Sequence, residues 1–506
     1  MIKSSDASIV AAGSKADGMP QSLAKPAEIE PTSATTERSA DDDALEFWQR
    51  HGSYDPSTGL RALSERRAEG KALRDRVPRE AHAEWSPAKD RPDPVAVLEE
   101  SNRGRLPDLV PLRMARMAAS PFAFLRGAAC LMAGDLARSP VSGIHAVIDG
   151  DAHLSNFGLH GTLQRDVVFD LDDFDEATLG PWEFDLKRLA ASVNVAGRDN
   201  GLNRRERRAL VLACVREYRD SAARFQEMGI LDLWYLHSYP GRKGSLRHLD
   251  PQTHAIFKRA VKKARDNTHA RLLPRVAQRE AGGSWRFIAN LPTLSAIDDE
   301  TASKVVVGLR EYVETLTPER RYMMKRYRLA AVARRVVGVG SVGLRAYLAL
   351  FFGNGESDPL FLQVKETTRP ALADYVAPLP DILSHNGRRV VFGQRFLQAS
   401  IDVLLGWTTI EGRHFFVRQM RNMKGSIPIA QLNGSTLGAY SRACGALLCR
   451  AHARTADIAK IAGYCGSSDA LDQALADFAE RYGDQNERDH AALVEAIKQG
   501  RVSSDS

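Results

Sequence analysis

Between residues 149 and 176 the chain sets eight carboxylates against one strong base, Arg165. No other stretch constrains the fold as much. Asp149-Gly150-Asp151-Ala152-His153-Leu154-Ser155-Asn156 follows the apolar segment 144–148, and Phe169-Asp170-Leu171-Asp172-Asp173-Phe174-Asp175-Glu176 follows Val167-Val168. Both apolar segments read as short strands, so two strand ends deliver carboxylates into neighbouring loops. Crowded carboxylates raise one another's pKa unless a cation neutralises them. A hard cation such as Mg2+ takes a few such oxygens and leaves room for phosphate. A merely solvated acidic loop has no use for Gly150, His153 and Asn156. A calcium loop of the EF type fails, because its fifth position is Phe174 and no Gly follows.

A second element lies about 190 residues downstream. Gly338-Val339-Gly340-Ser341-Val342-Gly343 is a Gly-x-Gly-x-x-Gly. A dinucleotide-binding turn of this form opens a helix. Here the apolar run 344–352 reads as a strand, then Gly353-Asn354-Gly355 as a turn, then a strand over 359–365 ending in Lys365. Taken alone, this is also the pattern of a glycine-rich hairpin with a snorkelling Lys. Further strands are predicted at 335–338, 389–392 and 413–419. One helix is predicted from Pro121 to Leu136, N-capped by Ser120. Residues 183–330 and 435 to the end read as mostly helical, with a basic helical stretch over 258–279.

Composition narrows the class. At 43% hydrophobic and 26% charged over 506 residues, the chain is neither wholly disordered nor fibrous. No run of 18 apolar residues occurs, so no membrane span is expected. The N-terminus shows no apolar signal segment. Five scattered cysteines (Cys130, Cys214, Cys444, Cys449, Cys465) form no Cys-x-x-Cys, and a cytoplasmic setting fits them best. Cys444 and Cys449 read as core. Net charge is +7, but residues 1–43 hold four Lys/Arg against eight Asp/Glu, which leaves +11 on the rest. That excess suits an anionic ligand. Without interleaved aromatics it does not point to nucleic acid. Arg126, just after Phe122 and Phe124, is a candidate for facing such an anion. We divide the chain into a disordered tail (1–43), an Arg-rich wrapping arm (44–118), a helical lobe with the acidic loops (119–330), a β lobe (331–430) and C-terminal helices (431–506).

The motif Gly150-Asp151-x-His153-x-x-Asn156 resembles the catalytic loop of aminoglycoside phosphotransferases and choline kinases, members of the kinase-like fold. The resemblance implies that Asp151 receives or orients a substrate hydroxyl proton and that Asn156 holds Mg2+; His153 between them is a catalytic candidate read as orienting the loop. Asp173-Phe174-Asp175 is similar to the element that supplies the main metal carboxylate, with Asp170 as the rival. Pro181 and Asp185 stand where that family opens a helix. One departure is Asp149, where the family has His. Gly338, Gly340 and Gly343 with Lys365 resemble the protein-kinase glycine loop and phosphate-contacting lysine. The order is inverted, so the resemblance implies a circularly permuted, two-lobe α+β fold binding ATP and Mg2+. No Glu follows Lys365 on the next predicted segment, which leaves either Gln394 or Gln398 as its partner or no such pair at all. Arg418, Arg421 and Lys424 fall near the expected hinge. Over residues 70–455, recurring motifs such as Gly180-Pro181-Trp182-Glu183-Phe184-Asp185-Leu186-Lys187-Arg188-Leu189 resemble a bacterial family called domain of unknown function 2252.

The expected function is phosphoryl transfer from ATP to the hydroxyl of a small molecule or protein. Adenylyl transfer and nucleotide binding without turnover are alternatives on the same fold. A phosphatase of the haloacid dehalogenase type, with Asp170 as nucleophile and Asp172 as acid, is a further one. It lacks the Thr that pattern wants where Phe174 stands.

Overall fold

The helix Trp182–Asp199 is buried along its whole length except for Arg198 and Asp199. A helix apolar on most faces must be surrounded. Here it is surrounded by the helices Arg204–Phe225, Gly434–Ala453 and Ala470–Lys498. Two small antiparallel sheets adjoin this bundle. One pairs His145–Ile148 with Thr178–Pro181, and the other orders Gly425–Ser426, Phe157–Gly161 and Val167–Leu171. The register of the second sets Gly158 opposite Asp170. The acidic loops therefore leave strand ends anchored against the bundle.

The computed structural model describes residues 61–240 and 251–504, and all of them fall in one unit, Tyr54–Ser506. The tail over 1–43 and the start of the arm, 44–60, lie outside the described residues. Among the described residues every strand pairing is antiparallel, and no helix is long and apolar enough to cross a membrane. The chain is a mixed α+β protein.

The largest sheet has six strands in the order Gly406–Ile410, Arg413–Gln419, Pro359–Glu366, Ala346–Phe352, Arg328–Arg335, Leu294–Ser295. Side chains alternate across a strand. In Pro359–Glu366, Leu360, Leu362 and Val364 enter the core beneath the helix Asp299–Glu314. Phe361, Gln363 and Lys365 face the other way. Phe361 joins a second core with Leu348, Leu350 and Phe287.

Several expected elements are corrected. The expected strand at 389–392 is part of the helix Asn386–Leu397. Val390-Val391 has strand propensity, but His385 caps the helix by accepting from the Arg388 N–H. Gly387 then lets that helix lie on the Phe415 carbonyl, which a Cβ would meet at 2.1 Å. The helix expected from Pro121 to Leu136 breaks at Ala128 into Pro121–Gly127 and Ala129–Leu136, and Arg113 donates to the carbonyl of Gly127 at the break. The strand expected at 335–338 ends at Arg335, before the glycines. The basic stretch 258–279 is divided between helices Pro251–Arg265 and His269–Val276 and the short strand Ala277–Arg279. The Ser120 cap is present, accepting from the Ala123 N–H. All five cysteines are free, with Cys444 and Cys449 buried.

Candidate functional site

One stripe of the helix Trp182–Asp199 organises the first acidic loop. Asp185, Arg188 and Ser192 are spaced three and four apart and so share a face. The Asp185 carboxylate accepts the N–H groups of Asp149 (2.7 Å) and Gly150 (2.9 Å). Ser192 Oγ accepts from the Leu154 N–H. Asp149 organises the loop: its Oδ1 accepts from the Asp151 N–H (3.1 Å) and from Asn156 Nδ2 (2.9 Å). Burial, with Asp185 beside it, pushes the Asp149 carboxyl well above its ordinary range.

Gly150 is required at its position. Its φ is +77°, and a Cβ there would lie 2.3 Å from the Glu176 carbonyl oxygen. We expect Gly150→Ala to cost at least about 1–3 kcal/mol from backbone strain alone, read by urea unfolding. Wild-type stability would mean that the two acidic loops are not packed as described.

Asp151 Oδ1 is 2.8 Å from Arg188 Nε, and its side chain is 21% exposed. Burial raises its carboxyl to about 7, against the pull of Arg188 and with help from Glu176 and Asp173. His153 Nε2 is 3.6 Å from Asp151 Oδ2. Burial, then the cations Arg188 and Arg126, hold the imidazole well below its usual pKa, so it stays neutral.

Asn156 ties the second acidic loop to the first. Its Oδ1 accepts from the Asp173 N–H (2.8 Å) and its Nδ2 donates to the Asp173 carbonyl (3.0 Å). Phe174 is buried between its acidic neighbours. Lys365, 2% exposed, pairs with Asp175 and lies 3.4 Å from Asp173 Oδ2. Burial would depress the Lys365 pKa, but the two carboxylates outweigh it and raise it. Burial and Asp173 lift the Asp175 carboxyl to about 6. For Asp173 burial acts upward, yet Lys365 and Arg418 outweigh it and hold the group low.

Asp173 is half-exposed, and Asp175 keeps a buried oxygen, Oδ1, without a partner. These two carboxylates fit a hard cation. Asn156 already spends its oxygen on the Asp173 N–H, so it positions a ligand more directly than it offers one. Among the described residues no group of three or more His, Cys, Asp or Glu is gathered as a metal site. Other acids are taken by bases: Asp151 by Arg188, Asp172 by Lys424 at 2.8 Å, and Asp170 by Arg450.

Asp170 is a correction. It is 1% exposed, accepts from the Leu171 and Ala399 N–H groups, and does not line the cavity described next. Neither a metal ion nor a phosphate ester in that cavity meets it. The expected partners of Lys365 are also corrected. Gln394 and Gln398 bond to each other (2.8 Å), and Gln398 donates to the Leu171 carbonyl.

Asp151, His153, Asn156 and Asp173 line one cavity of about 330 Å³, together with Gly338, Gly340 and Arg126. Lys365 reaches it through Asp173 and Asp175. Gly340 lies close to the Arg126 carbonyl, which a Cβ would meet at 3.3 Å, and Gly343 (φ +89°) packs on the Arg105 side chain. The arm holds this glycine loop: Leu106 N–H donates to Gly343, Arg105 Nη1 to Val342 and Arg116 Nη1 to Gly338. Arg418 donates to the Asp172 carbonyl, and Arg421 does not line the cavity. Sequence reasoning missed Arg188, Arg105 and Arg113 as cavity or loop partners. Only Arg188 carried a signal, three residues beyond Asp185 on one helical face.

The fold and site thus define a mixed α+β protein with a cavity bounded by paired acidic loops, a glycine loop and arginines. The family described as "Uncharacterized protein conserved in bacteria (DUF2252)" matches residues 105–496, and the chain belongs to it. No curated protein and no solved structure matches the chain.

Proposed function

We propose that the cavity binds Mg–ATP and that the protein transfers a phosphoryl group from it to the hydroxyl of a small molecule or protein. The observation that carries this reading is the meeting of Lys365 with Asp173 and Asp175, the latter 190 positions away, at the cavity that Asp151 and the glycine loop also line. Lys365 stands on the third strand counted from the one before the glycine loop, and a helix follows it. Protein kinases carry their phosphate-contacting lysine on the third strand. A circular permutation accounts for the inverted chain order, since such changes are tolerated at surface chain ends. The departure is the partner: the helix Asn386–Leu397 offers no carboxylate, and Asp175 takes that place.

Asp173 and Asp175 would hold Mg2+, and Lys365, released from Asp175, would contact phosphate. Bound Mg–ATP supplies the phosphoryl group and part of the charge neutralisation. Asp151, with a pKa near neutrality, is suited to take the hydroxyl proton. The test is a thermal-shift titration with ATP and Mg2+, separately and together, on wild type and Lys365→Ala, each against its own unliganded melting point. A ligand at 100 times its Kd stabilises the folded state by about 2.7 kcal/mol. We expect a Mg2+-dependent shift that shrinks in the variant. Its absence at saturation would remove the nucleotide from this cavity. Release of ADP, as against pyrophosphate, separates phosphoryl from adenylyl transfer.

A further inference from the structure

We propose that the acceptor is itself anionic, and that Arg126, Arg113 and Arg105 form the site for its oxyanion group. This rests on the reading of Asp151 as the acceptor-side base. All three guanidinium residues line the cavity, and none has a carboxylate partner among the described residues. Arg113 is 1% exposed and donates only to Asn102 Oδ1 (2.7 Å) and the Gly127 carbonyl (3.0 Å), with Nε left without a partner. Arg105 donates to the carbonyls of Ser101 and Val342. Arg126 makes no hydrogen bond or ion pair to any described residue, and its Nε is buried without a partner.

Arginine stays protonated in proteins, and a buried charge needs a counter-charge. Elsewhere Arg91, Arg188, Arg198 and Arg450 each meet a carboxylate, and buried Arg389 donates to the carbonyls of Ala177, Asp175 and Thr368, whereas the Arg126 side chain has neither kind of partner among the described residues. Three guanidinium groups stand in one cavity without a direct carboxylate contact among the described residues, although Asp151, Asp175 and Glu176 line it too, and an oxyanion would supply that contact. Burial and the neighbouring Arg105 push the Arg113 pKa down to about 9, which expresses the same missing charge. Planar guanidinium groups grip phosphate or carboxylate oxygens in pairs.

Position separates acceptor from nucleotide. Arg188, whose Nε donates to Asp151 Oδ1 (2.8 Å), also donates through Nη2 to the carbonyl of Leu125 (2.8 Å), the residue before Arg126. Lys365 meets Asp173 and Asp175 instead. An acceptor whose hydroxyl lies at Asp151 therefore brings its charged group to Arg126. In the transfer its oxygen forms the new P–O bond, the P–O bond to ADP breaks, and the hydroxyl proton passes to Asp151.

The test titrates the full chain with inorganic phosphate, with and without Mg2+ and a non-hydrolysable ATP analogue. Wild type, Arg126→Gln and Arg126→Lys are compared. The Arg126 side chain makes no hydrogen bond to any described residue, so its replacement removes none of those that hold the described fold. We expect phosphate to bind in both conditions, tenfold or more weaker in Arg126→Gln, and partly restored in Arg126→Lys. Affinity for the ATP analogue should stay within twofold. Competition between phosphate and the analogue, with both weakened alike in Arg126→Gln, would give the arginines to the nucleotide and overturn the proposal, as would absence of phosphate binding. If phosphate binds through Arg126 while the analogue does not bind at all, the anion site stands and the nucleotide assignment falls.

Discussion

Asp151→Ala should lower Mg–ATP-dependent turnover by roughly 10²–10⁴-fold, the usual contribution of a positioned general base, while nucleotide affinity holds. ADP release measures the first and calorimetry the second. Unchanged turnover would take the base role away from Asp151. The pH dependence gives a second reading of the same group. Burial holds the Asp151 carboxyl at about 7, and only the carboxylate can accept a proton. The rate should therefore rise with pH and level off above about 7. Arg188 is the cation that pulls this value down. In Arg188→Gln the limb should move to higher pH. A wild-type profile that falls with rising pH would contradict the assignment. His153 cannot supply the same limb, because it is held neutral well below the usual imidazole range.

The second large effect concerns stability. Asp170 and Arg450 are each 2% exposed at the side chain and stand 280 positions apart. Their pair joins the strand Val167–Leu171, which leads into the second acidic loop, to the helix Gly434–Ala453. Removing one partner of a buried pair strands the other charge, at a cost of about 3–5 kcal/mol. Asp170→Ala should therefore shift the urea midpoint strongly downward. The double variant Asp170→Leu with Arg450→Met should recover much of the loss, since a packed apolar pair of similar volume is often neutral. A loss under about 1 kcal/mol in the single variant, set against that same expectation, would show the pair to be idle. The same variant addresses the dehalogenase-type reading, in which Asp170 is a nucleophile. In the folded chain that carboxylate is bound to Arg450 and to two backbone N–H groups.

Much of the site was legible before any coordinates. Asp151, Asn156 and Asp173 stand within one stretch of sequence, and local spacing is enough to place them near each other. Gly338, Gly343 and Lys365 were legible as a loop and a strand end, because φ above zero and period-two alternation are local properties. The helix Asn386–Leu397 was not, since Val390-Val391 favours a strand and only packing on Phe415 makes the helix. Asp149 stands out in the sequence only as a departure from the resemblance, and in the folded chain it fixes the loop backbone.

What the sequence determined by itself is the local geometry: where strands end in carboxylates, where glycine permits the turn, and which strand face Lys365 occupies. Which base each carboxylate meets was decided only by the tertiary structure. Asp151, Asp172, Asp175 and Asp170 are claimed by Arg188, Lys424, Lys365 and Arg450, at separations of 37, 252, 190 and 280 positions. Charge pairing in a buried site follows distance in space and the local dielectric, and neither is written in the spacing of residues along the chain.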